Sequence, residues 1–302
     1  MIRTVLGDVS IEEISGAYLH EHLIIDSPIV KSEMPHIFLD SVADAITEVG
    51  ECIPAGVNLL VDCMPGESGR DIEKLREISR NSGVHIVAAT GMHNPKYYAN
   101  DSQYLSADRE KLAEIFIKEI LDRCGIIKIH SLSERLSPLE KELFAAAVHA
   151  QKETGVPILT HCEEGKGAIS QIAELNDLGA DLKKIVLSHT DKQPDYGYHR
   201  EILSTGVNVE YDQSLRQANS EKRPSLALTV AMCNEGFTNQ IMLGTDGARR
   251  SLWKSLGGSP GLAWLASGWR KLLNEAGLTE EQLRQIFRDN PRRFLRLSDI
   301  RL

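Results

Sequence analysis

Residues 19–23 read Leu-His-Glu-His-Leu within an apolar stretch. In an extended strand alternate side chains share a face, so His20 and His22 point together while Glu21 points away. Two imidazoles projecting from the end of a buried strand can chelate one cation, and neutral imidazole is the commonest side-chain ligand for zinc. Four more residues of ligating type stand singly at the ends of later apolar runs: Lys128 in IIKIH, His161 in ILTHC, His189 in VLSHT and Asp246 in GTDG. Taken one at a time, each has an ordinary reading. A lone histidine can be hydrogen-bonded in a core, an aspartate after a strand can cap a turn, and a buried lysine can pair with a carboxylate. The case for a metal centre rests on whether one fold brings them to one place.

The elements that would do so alternate along the chain. Apolar strands are predicted over residues 18–26, 57–63, 84–90, 125–130, 156–161, 184–189, 207–211 and 240–244, with helical periodicity over 40–53, 70–79, 107–122, 138–153, from 167 onward and over 225–234. A small hairpin or cap with Gly7-Asp8 as its turn precedes them. Two helices, 261–276 and 280–294, follow. Strands alternating with helices predict an α/β fold, a (β/α)8 TIM barrel with a short N-terminal hairpin and C-terminal helices, and 302 residues suit one such barrel as a single domain spanning 1–302. In a barrel, His20, His22, Lys128, His161, His189 and Asp246 all open on the C-terminal rim, where barrel enzymes keep their active sites. The loop 91–106, carrying His93, Asn94, Lys96, Tyr97 and Tyr98, is long enough to be functional.

Charge narrows the function classes. Lys and Arg number 34 against 43 Asp and Glu, a net charge of −9. That balance disfavours nucleic acid and anionic membrane as partners. The run Arg292, Arg293, Arg296 near the C-terminus reads as a solvated helix face. Five scattered cysteines without CxxC spacing read as reduced core thiols. With no apolar leader and no run near the roughly 18 residues that span a bilayer, a cytoplasmic protein is expected.

In order along the chain, HEHL, Lys128 in IIKIH, His161 in THCEEG, His189 in SHTD and Asp246 in GTDGARR resemble the metal motifs of the phosphotriesterase family within the amidohydrolase superfamily. The similarity runs from TVLGDVS near the N-terminus to DNPRRFL near the C-terminus. It implies two divalent ions, zinc first and manganese second. His20, His22 and Asp246 would hold the more buried ion and His161 and His189 the other, with Lys128 bridging both as an N6-carboxylated lysine. Electrostatics agree, because an ammonium would be repelled beside two cations whereas a carbamate bridges them. Ions about 3.5 to 4 Å apart hold a hydroxide near neutral pH, and Asp246 would shuttle its proton as general acid and base.

The family includes phosphotriesterases, lactonases and other carboxylic-ester hydrolases, so the loops must decide. Neutral phosphotriesters need apolar pockets, whereas the rim residues expected here, Lys96, Tyr98, Arg216, Arg249 and Arg250, suit an anionic or polyhydroxylated substrate. The GGSPG segment, 257–261, is a candidate anion-binding backbone. GMHNPKYY, THCEEG and GGSPG also look like the branch that hydrolyses phosphorylated sugar lactones. The resulting expectation is a binuclear metal-dependent lactonase acting on a small anionic lactone. Its alternatives are a phosphotriesterase or, from another class, a non-catalytic metal-dependent sensor. A homodimer is compatible with this reading.

Overall fold

Runs such as Leu59–Asp62 and Ile185–Ser188 are buried along their whole length, the pattern of strands covered on both faces. In the computed structural model, which describes residues 1–297, these runs form one parallel sheet. Its strands lie in chain order: β3 (Ala17–Glu21), β4 (Leu59–Asp62), β5 (His85–Gly91), β6 (Cys124–Ser131), β7 (Ile158–Cys162), β8 (Ile185–Ser188), β9 (Asn208–Tyr211) and β10 (Ile241–Leu243). This is the expected (β/α)8 barrel, nearly closed. The tail of the expected 1–302 unit, residues 298–302, lies outside the described residues.

Closure between β10 and β3 falls at the candidate site. The amides of Thr245 and Asp246 both donate to the His20 carbonyl, at 3.1 and 2.9 Å. Gly244 permits this approach, since a Cβ there would overlap Glu210 Oε1 and lie 2.8 Å from His20 Cβ. Inside the sheet, Leu19, Val61, Val87, Ile126, Leu159, Val186 and Met242 form an apolar cluster with Ile2, Phe294 and Leu295. A larger cluster joins the sheet to the surrounding helices.

Helix starts obey local chemistry. Ser41, Asp71, Asp108 and Ser137 cap the helices Val42–Gly50, Ile72–Ser82, Arg109–Leu121 and Pro138–Thr154 with side-chain oxygens. Helix Tyr196–Ser204, between β8 and β9, adds to the helices predicted from periodicity, and Asp195 caps it in the same way. The two C-terminal helices are interrupted by π-turns at Leu265–Trp269 and Gln285–Asp289.

The N-terminal hairpin pairs β1 (Ile2–Thr4) with β2 (Gly7–Val9), Thr4 opposite Gly7. Its turn is therefore Val5-Leu6 and not Gly7-Asp8. The reason is tertiary: Val5 is buried and its amide donates to the Ile86 carbonyl at 2.9 Å, docking the turn on β5. Of the run read as a solvated face, Arg293 and Arg296 are exposed as expected, while Arg292 is half-buried. Arg292 Nε donates to Ile14 O at 2.8 Å and Arg293 bonds Asn290 and Asn239, fastening the terminal helix to the barrel. No described helix is long and apolar enough to cross a membrane, and all five cysteines are free and buried.

Candidate metal centre

The barrel brings the six strand-end residues to one rim. His22 Nε2 lies 3.4 Å and His20 Nε2 3.9 Å from Asp246 Oδ1, and Lys128 Nζ lies 3.5 Å from His20 Nε2. The His161 and His189 rings are 4.4 Å apart, and the His20 and His189 rings 4.9 Å. His20, His22 and Asp246 could hold one ion between them, and so could His20, His189 and Asp212. The second grouping contains Asp212, which sequence reasoning does not single out. His161 belongs to neither grouping. Its Nε2 instead lies 2.9 Å from Glu163 Oε2.

Beneath the histidines lies a layer of carboxylates. His189 Nδ1 is 2.6 Å from Asp212 Oδ2, and His20 Nδ1 is 3.3 Å from Glu210 Oε2. For His20 the carboxylate hydrogen-bonded to the far ring nitrogen fixes the tautomer and leaves Nε2 free to bind a cation, whereas His189 Nδ1 is in close contact with Asp212 without hydrogen-bond geometry. Glu210 and Asp212 stand two residues apart at the end of β9, so strand alternation aims both inward. That alternation is the signal that could find them: two acids in an otherwise apolar strand, V-E-Y-D. On the opposite side, Asp62 accepts from the amides of Leu23, at 2.7 Å, and Met64, at 3.1 Å, which fixes the chain just after His22. Glu21 points away, as expected, and binds Thr245 through both its amide and its hydroxyl.

Burial sets the protonation states. It pushes His20 well below its ordinary pKa, aided by Lys128 and His189, and lowers His161 to about 3 with help from His189. Both shifts favour the neutral imidazole that a ligand must be. Burial likewise lowers Lys128, which is fully enclosed. For Asp246 burial acts upward, but the Arg216 guanidinium and a hydrogen bond from His22 hold it well below the usual carboxylate range. The donor set fits divalent cations. Imidazoles crowd together, His22 Nδ1 is buried without a hydrogen-bond partner among the described residues, and an ionised carboxylate faces them.

Backbone conformation contributes too. His189 and Asp246 both adopt left-handed φ, 67° and 44°, uncommon for residues other than glycine and concentrated at functional sites. Gly91 ends β5 directly beside Lys128. Its φ is +109°, and a Cβ there would overlap the Lys128 carbonyl oxygen. Only glycine lets the strand pass close enough for Met92 N to bind that oxygen at 2.9 Å.

Above the rim opens a cavity of about 590 Å³, lined by the histidines and Asp246 together with Lys96, Tyr97, Glu163, Lys192, Arg216 and Arg249. The expected substrate contacts sort into two groups. Lys96 and Arg249 line the cavity, and no hydrogen bond or ion pair among the described residues engages their charged groups. Lys192, unforeseen, stands with them. Arg216 lines the cavity but bonds Asp246 and the Thr245 carbonyl. Tyr98 and Arg250 do not line it. Tyr98 is buried, its hydroxyl accepting from His93 N at 3.0 Å, and Tyr97 takes the cavity position. Arg250 donates to Phe38 O at 2.8 Å because the chain turns into a 3-10 helix at Arg250–Leu252 instead of staying extended. The GGSPG backbone offers no anion site, since the amides of Gly257, Gly258, Ser259 and Gly261 are consumed by carbonyls of residues 251–254.

Comparison with known proteins agrees with this geometry. Residues 1–295 match the model of the phosphotriesterase family. The chain is 28% identical to a phospho-furanose lactonase of Mycoplasmopsis synoviae, covering 99% of this chain and 92% of that protein. It is 27% identical to the phosphotriesterase homology protein of Escherichia coli, over 91% and 96%. The crystal structure of a lactonase from Listeria monocytogenes superposes with a TM-score of 0.90 at 25% identity, covering 99% of both chains.

Proposed function

The chain belongs to the phosphotriesterase family, and from that premise we propose that it is a metal-dependent lactonase opening a phosphorylated or polyhydroxylated sugar lactone. As a member of this family it is a hydrolase acting on ester bonds. The observation that carries the substrate class is the cavity itself. The candidate ligand histidines and Asp246 line it together with three exposed cations, Lys96, Lys192 and Arg249, whose charged groups make no direct ion pair among the described residues, the Glu163 carboxylate sharing the cavity. Cations so placed attract and orient an anionic group at the end of a substrate whose carbonyl reaches the candidate ligands. A neutral phosphotriester would leave them without a role.

In this reading His20, His22 and Asp246 would hold one ion and His161 and His189 the second, with Lys128, carboxylated by CO2, as the ligand common to both. Zinc is the first candidate and manganese the second. The pair, when bound, supplies Lewis acidity toward the lactone carbonyl. The chain's own residues supply the rest. Glu210 holds the His20 ring with Nε2 forward, and Asp212 stands against His189 Nδ1. Asp246 stays ionised, so its carboxylate can take the proton of the attacking water and return it to the ring oxygen as the acyl C–O bond breaks. Glu163, which lies 2.9 Å from His161 Nε2, would be free to accept from a substrate hydroxyl with a cation on that nitrogen. The partner is a small anionic molecule, and neither nucleic acid nor a membrane is involved. The free buried thiols support a cytoplasmic setting.

The test is a turnover screen of metal-loaded protein on sugar lactones with and without phosphate, beside a chromogenic phosphotriester. Phosphorylated lactones should give the highest kcat/KM. Phosphotriester turnover exceeding every lactone would reverse the assignment.

A further inference from the structure

Arg216 projects from the segment after β9 to the cavity wall, and its position alone suits a substrate contact. Its donors are already committed. Nη1 lies 3.1 Å from the Thr245 carbonyl oxygen and 3.5 Å from that of Asp212, while Nη2 lies 2.9 Å from the Asp246 carbonyl and 2.7 Å from Asp246 Oδ2. Three of these four acceptors belong to residues 245 and 246. The planar fork of a guanidinium matches such a fixed set of oxygens, which a lysine's single nitrogen cannot. Lys96, Lys192 and Arg249 on the same cavity have no such engagement among the described residues.

The residue so gripped is unusual. Asp246 has a φ of 44°, a conformation that L-residues other than glycine adopt at a cost and keep only when their surroundings enforce it. Here its amide is held by the His20 carbonyl, its own carbonyl by Arg216, and one carboxylate oxygen by Arg216. The other oxygen, Oδ1, is left facing His22 Nε2 and His20 Nε2. The carboxylate is thus divided, with Oδ2 on the guanidinium and Oδ1 toward the imidazoles.

We infer that Arg216 is a positioning residue and not a substrate contact: it locks the left-handed backbone of Asp246 and occupies Oδ2, so that Asp246 offers a single oxygen to a cation held with His20 and His22. The inference rests on the metal site proposed above. It adds that the carboxylate binds through one oxygen only, and that a residue from the loop after the preceding strand sets this. Substrate anions are left to the exposed cations of the cavity.

The experiment uses cobalt(II)-loaded full-length protein, wild type, Arg216→Met and Arg216→Lys, first without substrate. Visible absorption reports the coordination of the ion, and transfer to a coloured chelator reports its release. Arg216→Met should shift the absorption and release cobalt roughly 10- to 100-fold faster, the usual range for loss of a group that orients a ligand. Arg216→Lys, able to reach only part of the acceptor set, should fall between. On lactones, kcat should drop by one common factor for anionic and neutral substrates, with KM moving less. Wild-type absorption and cobalt retention in both variants, with KM raised for the anionic lactone alone, would make Arg216 a substrate contact and overturn the inference. Unchanged behaviour in every measurement would also overturn it. If Arg216→Met does not fold, as judged by circular dichroism, Arg216→Lys decides by the same criteria. A wild type that turns over no lactone defeats only the substrate assignment, since the cobalt measurements still decide this one. A wild type that holds no cobalt defeats both.

Discussion

Lys128 shows why residue identity and burial must be read together. A lysine with no exposure, its pKa lowered by desolvation and its Nζ 3.5 Å from a histidine nitrogen, is disfavoured as a cation and suits the carboxylated bridge proposed above. Lys128→Ala should therefore leave at most one ion per chain after reconstitution with excess zinc and bicarbonate, and activity should collapse. Metal analysis beside kcat checks this, and two retained ions with unaltered kcat would reduce Lys128 to a core residue. The exposed cations of the cavity act differently. A charge-assisted hydrogen bond contributes on the order of 1.5 to 3 kcal/mol, roughly tenfold or more in kcat/KM. Lys192→Met and Arg249→Met should each lower kcat/KM about tenfold for a phosphorylated lactone and far less for its unphosphorylated form, with metal content unchanged. Equal losses on both forms would count against the anion reading.

At the scale of elements, two strands place the chemistry by what they lack and what they carry. Gly91 lacks a side chain so that β5 can pass Lys128. Gly91→Ala should push Lys128 off its position, cutting metal content and lowering stability by more than the ~1 kcal/mol typical of alanine forced to positive φ. Gly206, with φ of +92° and open space where an added Cβ would stand, separates the two effects. Gly206→Ala should show the conformational cost alone, in thermal unfolding, with both ions retained. Strand β9 carries Glu210, and Asp212 follows at its end. Asp212→Asn should weaken metal affinity roughly 10- to 100-fold, because His189 loses the carboxylate beside its Nδ1. Competition with a graded chelator measures it, and wild-type affinity would show that Asp212 does not orient the ring.

At the scale of the molecule, the terminal helix Asn290–Leu295 closes the barrel floor. Asn290 is fully buried and its amide group donates to the carbonyls of Thr238 and Ile241, both at 2.7 Å. Lys184 reaches across to the Phe294 carbonyl at 2.8 Å. Asn290→Ala strands two buried carbonyls, at about 1 to 3 kcal/mol each. The apo protein's Tm should fall by several degrees or more, while the surviving folded fraction keeps wild-type metal stoichiometry at 25 °C. Loss of metal in step with stability would mean that the floor and the rim are one cooperative unit.

The barrel and the six strand-end residues are legible in the sequence because both depend on local pattern. A buried parallel strand is an apolar run, a helix has its period and its cap, and His20, His22, Lys128, His161, His189 and Asp246 interrupt or end such runs where nothing apolar explains them. The carboxylates behind the histidines obey the same alternation in β9, yet Glu210 and Asp212 gain meaning only once β9 is seen beside β8 with Glu210 reaching His20 of β3. What tertiary structure alone decided was the fate of the loops. Of the five basic or aromatic residues expected at the substrate, Lys96 and Arg249 face the cavity, Arg216 grips Asp246, Arg250 holds the Phe38 carbonyl, and Tyr98 turns into the core beneath Tyr97. A long side chain's partner is set by which backbone oxygens the folded loops bring within reach, and those distances arise between segments up to 212 residues apart. Local pattern fixes what a residue is able to do, whereas the choice among acceptors is made by the packed chain.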